Sequence, residues 1–128
     1  MLCLAYQPIS QLAETLSAAD LHLVLMGNAF VGLVHPCKIY NILKVGAPLL
    51  YIGPQPSHIS EILHEINGQF PCGWAEHGQV EAVVQQIMRL QKAIGPRDGN
   101  QEPAVARRFS RNVLMPQFVA TLEVAAKS

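Results

Sequence analysis

The amino-acid sequence predicts an α/β fold in which a short parallel sheet is flanked by helices, and three observations carry that prediction. Apolar runs of strand length, residues 21–26 and 48–52, alternate with stretches of helical periodicity. Both runs are apolar almost throughout instead of alternating with polar residues, which is the pattern of strands covered on both faces. Loops rich in glycine and proline, residues 27–35 and 53–56, join these runs to the helical stretches that follow.

In chain order, residues 2–6 read as a first short strand, broken by Gln7 and Pro8. Ser10 is a good N-cap for a helix carrying Leu12, Leu16 and Ala19, with Glu14 in its early part. After the strand at 21–26 and the loop holding Gly27 and Gly32, Pro36 suits a first helical turn. That helix runs through Ile39, Tyr40, Ile42 and Leu43 and ends at Gly46. Ser57 can cap the next helix, which bears Ile59, Ile62, Leu63 and Ile66. A weak strand is expected at 70–74, followed by a strongly periodic helix with Val80, Val83, Val84, Ile87, Met88 and Leu90. Residues 95–102 are polar and turn-rich and read as a linker to two helical pieces, 104–109 and 113–126. Pro116 is expected in the first turn of the last piece, where it is tolerated.

The 128 residues fit one domain, and with 50% hydrophobic and 14% charged residues there is ample apolar surface to bury. Only two strands are strongly written, whereas a doubly wound sheet has about five or six. The sheet therefore reads as incomplete, the rear part of a larger domain or the product of a shortened reading frame. Nine basic residues balance nine acidic ones, which argues against a nucleic-acid binder. The three cysteines, Cys3, Cys37 and Cys72, form no Cys-x-x-Cys pair, so neither a zinc site nor a redox pair is signalled. Reduced thiols, no signal-peptide pattern and no transmembrane segment point to a cytoplasmic protein.

Ligands of open parallel sheets sit beyond the carboxyl ends of the strands, beside helix N-termini. The segment holding Gly32, Leu33, His35, Cys37, Lys38 and Asn41 is the best such place, because a glycine loop meets a helix start there. Free N–H groups, the helix dipole and the Lys38 charge would together attract phosphate. The same residues also fit a solvated lysine beside an ordinary loop. Of the five histidines, at positions 22, 35, 58, 64 and 77, His22 reads as a core or edge residue. His35 lies in the ligand loop, while His58 and His64 lack the His-Glu-x-x-His spacing of a metal site and read as surface residues. Asp20 and Glu65 could be an acid and base, though Asp20 also fits a structural role before a strand. Cys37 could carry a reactive thiolate or serve as a small residue allowing close approach. Arg107, Arg108 and Arg111 could meet anionic lipid or form a solvated helix face.

The runs at 16–24 and 32–40 (Gly-Leu-Val-His-Pro-Cys-Lys-Ile-Tyr in the second), with Gly46, Ala47 and Pro48, resemble retaining glycosyltransferases. More narrowly, they are similar to the group-1, family 4 enzymes of bacterial polysaccharide synthesis, of the colanic-acid or exopolysaccharide type. Arg107, Arg108, Phe109, Ser110 and Arg111, followed by Val113 and Phe118, resemble that family's closing helices. The resemblance covers nearly the whole chain but only the rear of the family's second domain. It implies a partial Rossmann-like sheet, the back of the C-terminal domain of a GT-B fold. Residues 1–94 would be an incomplete donor-nucleotide-binding region, 95–102 a linker and 103–128 C-terminal helices.

By this resemblance Tyr6, Gln7 and Pro8 would lie near the base, and Gly32, Leu33 and Lys38 near the diphosphate. Asn41 would stand where relatives carry a glutamate for the ribose, and His35 would contact sugar or phosphate. Cys37 replaces the family's serine, and Val31 and Asn41 stand where its paired glutamates are expected. The implied activity is binding of a nucleoside diphosphate sugar, as substrate and with no cofactor or metal, in a chain that does not transfer the sugar alone. The missing acceptor domain could be a partner chain, and a homodimer is a further partner expectation. Alternatives are a non-catalytic half-site or interaction module, or a degenerate remnant. The implied location is cytoplasmic, at the periphery of the inner membrane.

Overall fold

The computed structural model describes residues 5–95 and 103–126. Among the described residues three strands, β1 (His22–Leu25), β2 (Leu49–Ile52) and β3 (Cys72–Ala75), form one parallel sheet in the order β1-β2-β3. His22 lies opposite Leu49, and Leu49 opposite Cys72, so equivalent positions line up across the sheet. Six α-helices accompany them among the described residues: α1 (Leu12–Ser17), α2 (Lys38–Val45), α3 (His58–Ile66), α4 (Val80–Gln91), α5 (Ala104–Arg107) and α6 (Arg111–Ala126). Short 3-10 turns occupy Ile9–Gln11 and Asn28–Phe30. The α/β class and the parallel sheet expected from the sequence are thus present.

Strand side chains alternate between faces, and the two faces are covered by different helices. Val24, Leu49, Tyr51 and Cys72 join the main core with α2, α3 and α5. Helix α2 buries Ile39, Ile42 and Leu43, and α3 buries Ile59, Ile62, Leu63 and Ile66, the i, i+3, i+4 spacing that makes one stripe. Each such side chain contributes about 1.5–3 kcal/mol of transfer free energy on burial. Helix α4 covers the opposite face: Gln86 and Arg89 lie over Gly73, and the Arg89 guanidinium donates to the Cys72 carbonyl at 2.5 Å.

Strand β1 departs from the expectation of cover on both faces. His22 and Val24 are buried, but Leu23 and Leu25 are 45% and 64% exposed. Helix α4 sits over β3 and β2 and leaves that side of β1 open. A continuous apolar run does not distinguish a covered face from an uncovered one. Buried His22 Nε2–H donates to the Leu16 carbonyl at 2.9 Å, which ties β1 to the end of α1.

Several boundaries also move. Residues 2–4 of the expected first strand, with Cys3, lie outside the described residues, and Ala5 and Tyr6 are irregular. Ser10 falls inside a 3-10 turn, so Gln11 and not Ser10 is the N-cap of α1, without a side-chain cap bond. Pro36 precedes α2, whose N-cap is Cys37. Gly46 ends α2 in the left-handed conformation at φ 72°, as expected. The weak strand is real but lies at Cys72–Ala75. Of the expected linker only Gly95 is described. Beyond it Val105 and Ala106 of α5 enter the same core as the strands. Helix α6 begins at Arg111, so Pro116 lies past its first turn. No residue of α6 is buried, and its apolar side chains are spread around the axis.

A buried polar network sits at the carboxyl end of β2. Tyr51 is fully buried, and its hydroxyl donates to the Pro54 carbonyl at 3.0 Å. The Ser57 hydroxyl lies 2.9 Å from the Tyr51 hydroxyl, within hydrogen-bond distance. Ser57 also caps α3, with Ser60 returning the bond in a reciprocal capping box. Gly53 is packed against this group: a Cβ there would lie 2.6 Å from the Tyr51 hydroxyl and 2.8 Å from the Met26 carbonyl. Ser57→Ala should therefore cost about 1–2 kcal/mol, and Gly53→Ala about 1–3 kcal/mol, in urea unfolding. A Ser57→Ala protein as stable as the parent would remove this network from its anchoring role.

Candidate functional site

The loops after β1, β2 and β3 all emerge at the carboxyl edge of the sheet, and two hollows lie among them. One, of about 270 Å³, is lined by Met26, Val31, Gly32, Leu33, Val34, His35 and His58. The other, of about 260 Å³, is lined by Asn28, Pro54, Gln55, Glu76 and His77. His77 Nε2–H donates to the Met26 carbonyl at 2.7 Å, bracing the loop after β3 against the end of β1. Gly32 turns its loop at φ 77°, in the left-handed region where glycine carries no Cβ penalty.

At the first hollow the structure assembles a cluster from two separate loops. Tyr40, in the first turn of α2, holds its hydroxyl 2.9 Å from His35 Nε2 and 3.2 Å from His58 Nε2. The two imidazole centroids are 4.1 Å apart, and the His35 ring stacks on Tyr40 at 5.5 Å. Phe109, just beyond α5, packs against Tyr40 at 5.5 Å. The C-terminal segment is further held by an ion pair between Arg108 and Glu65 of α3. Exposed Cys37 donates its thiol to the His35 carbonyl at 3.4 Å, which bends the loop back towards α2.

The electrostatics of the cluster follow from its geometry. Burial, and then repulsion from His35, lowers the His58 pKa below 6.5, while Glu61 works in the other direction. Burial, and then Cys37, raises the Tyr40 phenol, so Tyr40 stays a protonated hydroxyl. Among the described residues no group of three or more histidine, cysteine or carboxylate side chains could hold a metal ion.

The residues singled out from the sequence fall into two groups. Gly32, Leu33 and His35 line the hollow at the carboxyl edge, with Lys38 exposed at the start of α2. Asn41 faces another hollow, of about 250 Å³ between α1 and α2, with Ile9, Leu12, Leu16 and Lys44. Tyr6 and Gln7 line a third, of about 470 Å³, with Ile9, Leu12 and Thr15, and Pro8 begins the adjoining 3-10 turn. His22 is a core residue and His64 lies exposed, its ring 5.2 Å from Trp74. Glu65 is engaged with Arg108, away from a role as free base.

Sequence reasoning missed His58 and Tyr40 as site residues. His58 is exposed as expected, yet it sits against His35, 23 positions earlier in the chain. The available signal was positional: His58 follows the N-cap of the helix after β2, and His35 precedes the helix after β1. Neighbouring strands of a parallel sheet bring such positions together.

No protein-family model, curated protein or solved structure matches this chain. Among the described residues, no helix is long and apolar enough to cross a membrane.

The histidine ring signals provide a direct check of the cluster. His58 should titrate below 6.5 by NMR. Its folded state then binds fewer protons than the unfolded state, so its contribution to stability falls as the pH drops through that window. His35→Ala should move the His58 titration part of the way back up, leaving the lowering due to burial. An unchanged His58 titration in that variant would separate the two rings.

Proposed function

We propose that this chain is the donor-binding portion of a retaining glycosyltransferase of polysaccharide synthesis, built on the rear of a GT-B donor domain. It would take a nucleoside diphosphate sugar at the carboxyl edge of its sheet, as a substrate and without a resident cofactor. One observation carries the reading: the loops after the strands surround hollows at that edge, and Lys38 begins the adjoining helix. This is where open α/β sheets bind phosphate-bearing ligands. The N-terminal dipole of α2 and the ammonium of Lys38 would share the diphosphate charge. Gly32 and Leu33 would bring backbone close to it, and His35 would meet the phosphate or the sugar.

The ribose and base would have to leave that hollow for the separate hollows beside α1, one lined by Asn41 and the other by Tyr6 and Gln7, with Pro8 adjoining. Asn41 can donate and accept hydrogen bonds but supplies no carboxylate charge. The acceptor side would come from another domain or chain, so the polypeptide by itself would bind donor without transferring its sugar.

A second reading, a half-site or interaction module that works only with a partner chain, is favoured by a separate observation. Leu23 and Leu25 of β1, Val84 and Met88 of α4 and every described residue of α6 are exposed. Exposed apolar surface of this kind on an edge strand and a terminal helix is characteristic of surfaces that are covered in an assembly.

Titration of the protein with UDP, GDP and ADP by calorimetry tests the first reading. One nucleotide should bind saturably, and Lys38→Ala should weaken it about tenfold or more, the worth of a charge-assisted phosphate contact. A folded protein that responds to none of the three nucleotides would sink the donor-site reading and leave the partner-dependent one.

A further inference from the structure

We propose that His35, Tyr40 and His58 form a proton-coupled clamp for a phosphate group, in which binding the anion loads one proton onto the imidazole pair. For the identity of the anion, the diphosphate of a nucleoside diphosphate, this rests on the donor-site reading; the clamp itself rests on the cluster's geometry. Both imidazoles line the hollow at the carboxyl edge, and both present Nε2 to one hydroxyl, at 2.9 and 3.2 Å.

That shared hydroxyl constrains the tautomers. Tyr40 has one proton to donate, so it donates to one Nε2 and accepts an N–H from the other. The first ring then carries its proton on Nδ1, and the second leaves its Nδ1 bare. The neutral cluster therefore offers one donor and one lone pair away from Tyr40. The bare nitrogen would repel a phosphate oxygen. Adding one proton there converts it to a donor without breaking either bond to Tyr40. The cluster then presents two N–H donors and one positive charge, which matches a phosphate oxyanion. A second proton would have to displace the Tyr40 donor bond and would set two cations side by side, so loading stops at one.

The groups facing the pair agree with this direction. Burial, and then His35, disfavours the charged form of His58, while Glu61 favours it. Tyr40 remains a hydroxyl, Cys37 lies at the His35 carbonyl, and Lys38 follows on α2. A bound anion raises the pair's proton affinity. By linkage, anion affinity is fullest where the free pair is already protonated and is lost as the pH rises through the pKa of the bound pair.

The test is calorimetry of inorganic pyrophosphate and of UDP, GDP and ADP with the intact chain, in buffers of low and high ionisation enthalpy, from about pH 6 to pH 8. The expected result is uptake of up to about one proton per anion, with affinity falling by up to about tenfold per pH unit on the alkaline side. His58→Gln should abolish the uptake and flatten the pH dependence; Tyr40→Phe, which keeps the packing against Phe109, should reduce both. Circular dichroism verifies that each variant is folded.

Saturable binding with no proton uptake, or uptake unchanged in folded His58→Gln, would overturn the clamp, as would no binding of any of these anions. Nucleotide binding without uptake overturns the clamp and leaves the donor-site reading standing. Pyrophosphate binding with uptake, no tighter for any nucleotide, supports the clamp and removes the donor-site reading.

Discussion

The buried hydroxyl of Tyr51 is the tie on which the candidate site depends. It sits at the centre of the sheet, where an unpaired hydroxyl would be costly, and it is satisfied by the Pro54 carbonyl and the Ser57 hydroxyl. Those partners belong to the loop leaving β2 and to the N-cap of α3. Satisfying one core side chain therefore sets where α3 begins. His58, the next residue after the cap, is thereby brought to the mouth of β1, within reach of His35 and Tyr40.

A second support comes from the other end of the chain. Val105 and Ala106 enter the core, Phe109 backs Tyr40, and Arg108 reaches Glu65 on α3. The exposed ion pair itself contributes little, about 0–1 kcal/mol in general. The apolar contacts of α5 and Phe109 matter more, because they immobilise the tyrosine that both histidines share. The segment following the expected linker thus helps to shape the edge where the ligand is proposed to bind, and does not simply trail from it.

The two faces of the sheet differ in how completely they are covered, and the difference has functional weight. The face under α2 and α3 is closed, and the carboxyl edge above it carries the His35–Tyr40–His58 cluster. The other face is closed only over β3 and β2, leaving Leu23 and Leu25 of β1 accessible. The open side of β1 leaves exposed apolar surface away from the histidine cluster.

Much of the architecture was legible in the sequence by itself. Apolar runs at 21–26 and 48–52, helical periodicity in α2 and α3, Ser57 as a cap and Gly46 as a terminator are local signals, set by propensity, burial pattern and capping chemistry. The glycine loop that runs from Gly32 into α2 was legible as well, because it too is a local pattern. The exposure of Leu23 and Leu25 was not legible, since a residue's burial depends on which element packs over it. Nor was the His35–Tyr40–His58 cluster, nor the separation of Asn41 and Gln7 from Gly32 into different hollows. Those facts depend on the parallel pairing of β1 with β2, which brings distant loops together, and on the packing of α1 against α2. Sequence determined the elements and their order; only the tertiary structure decided which side chains share a surface, because that is set by contacts between residues far apart along the chain.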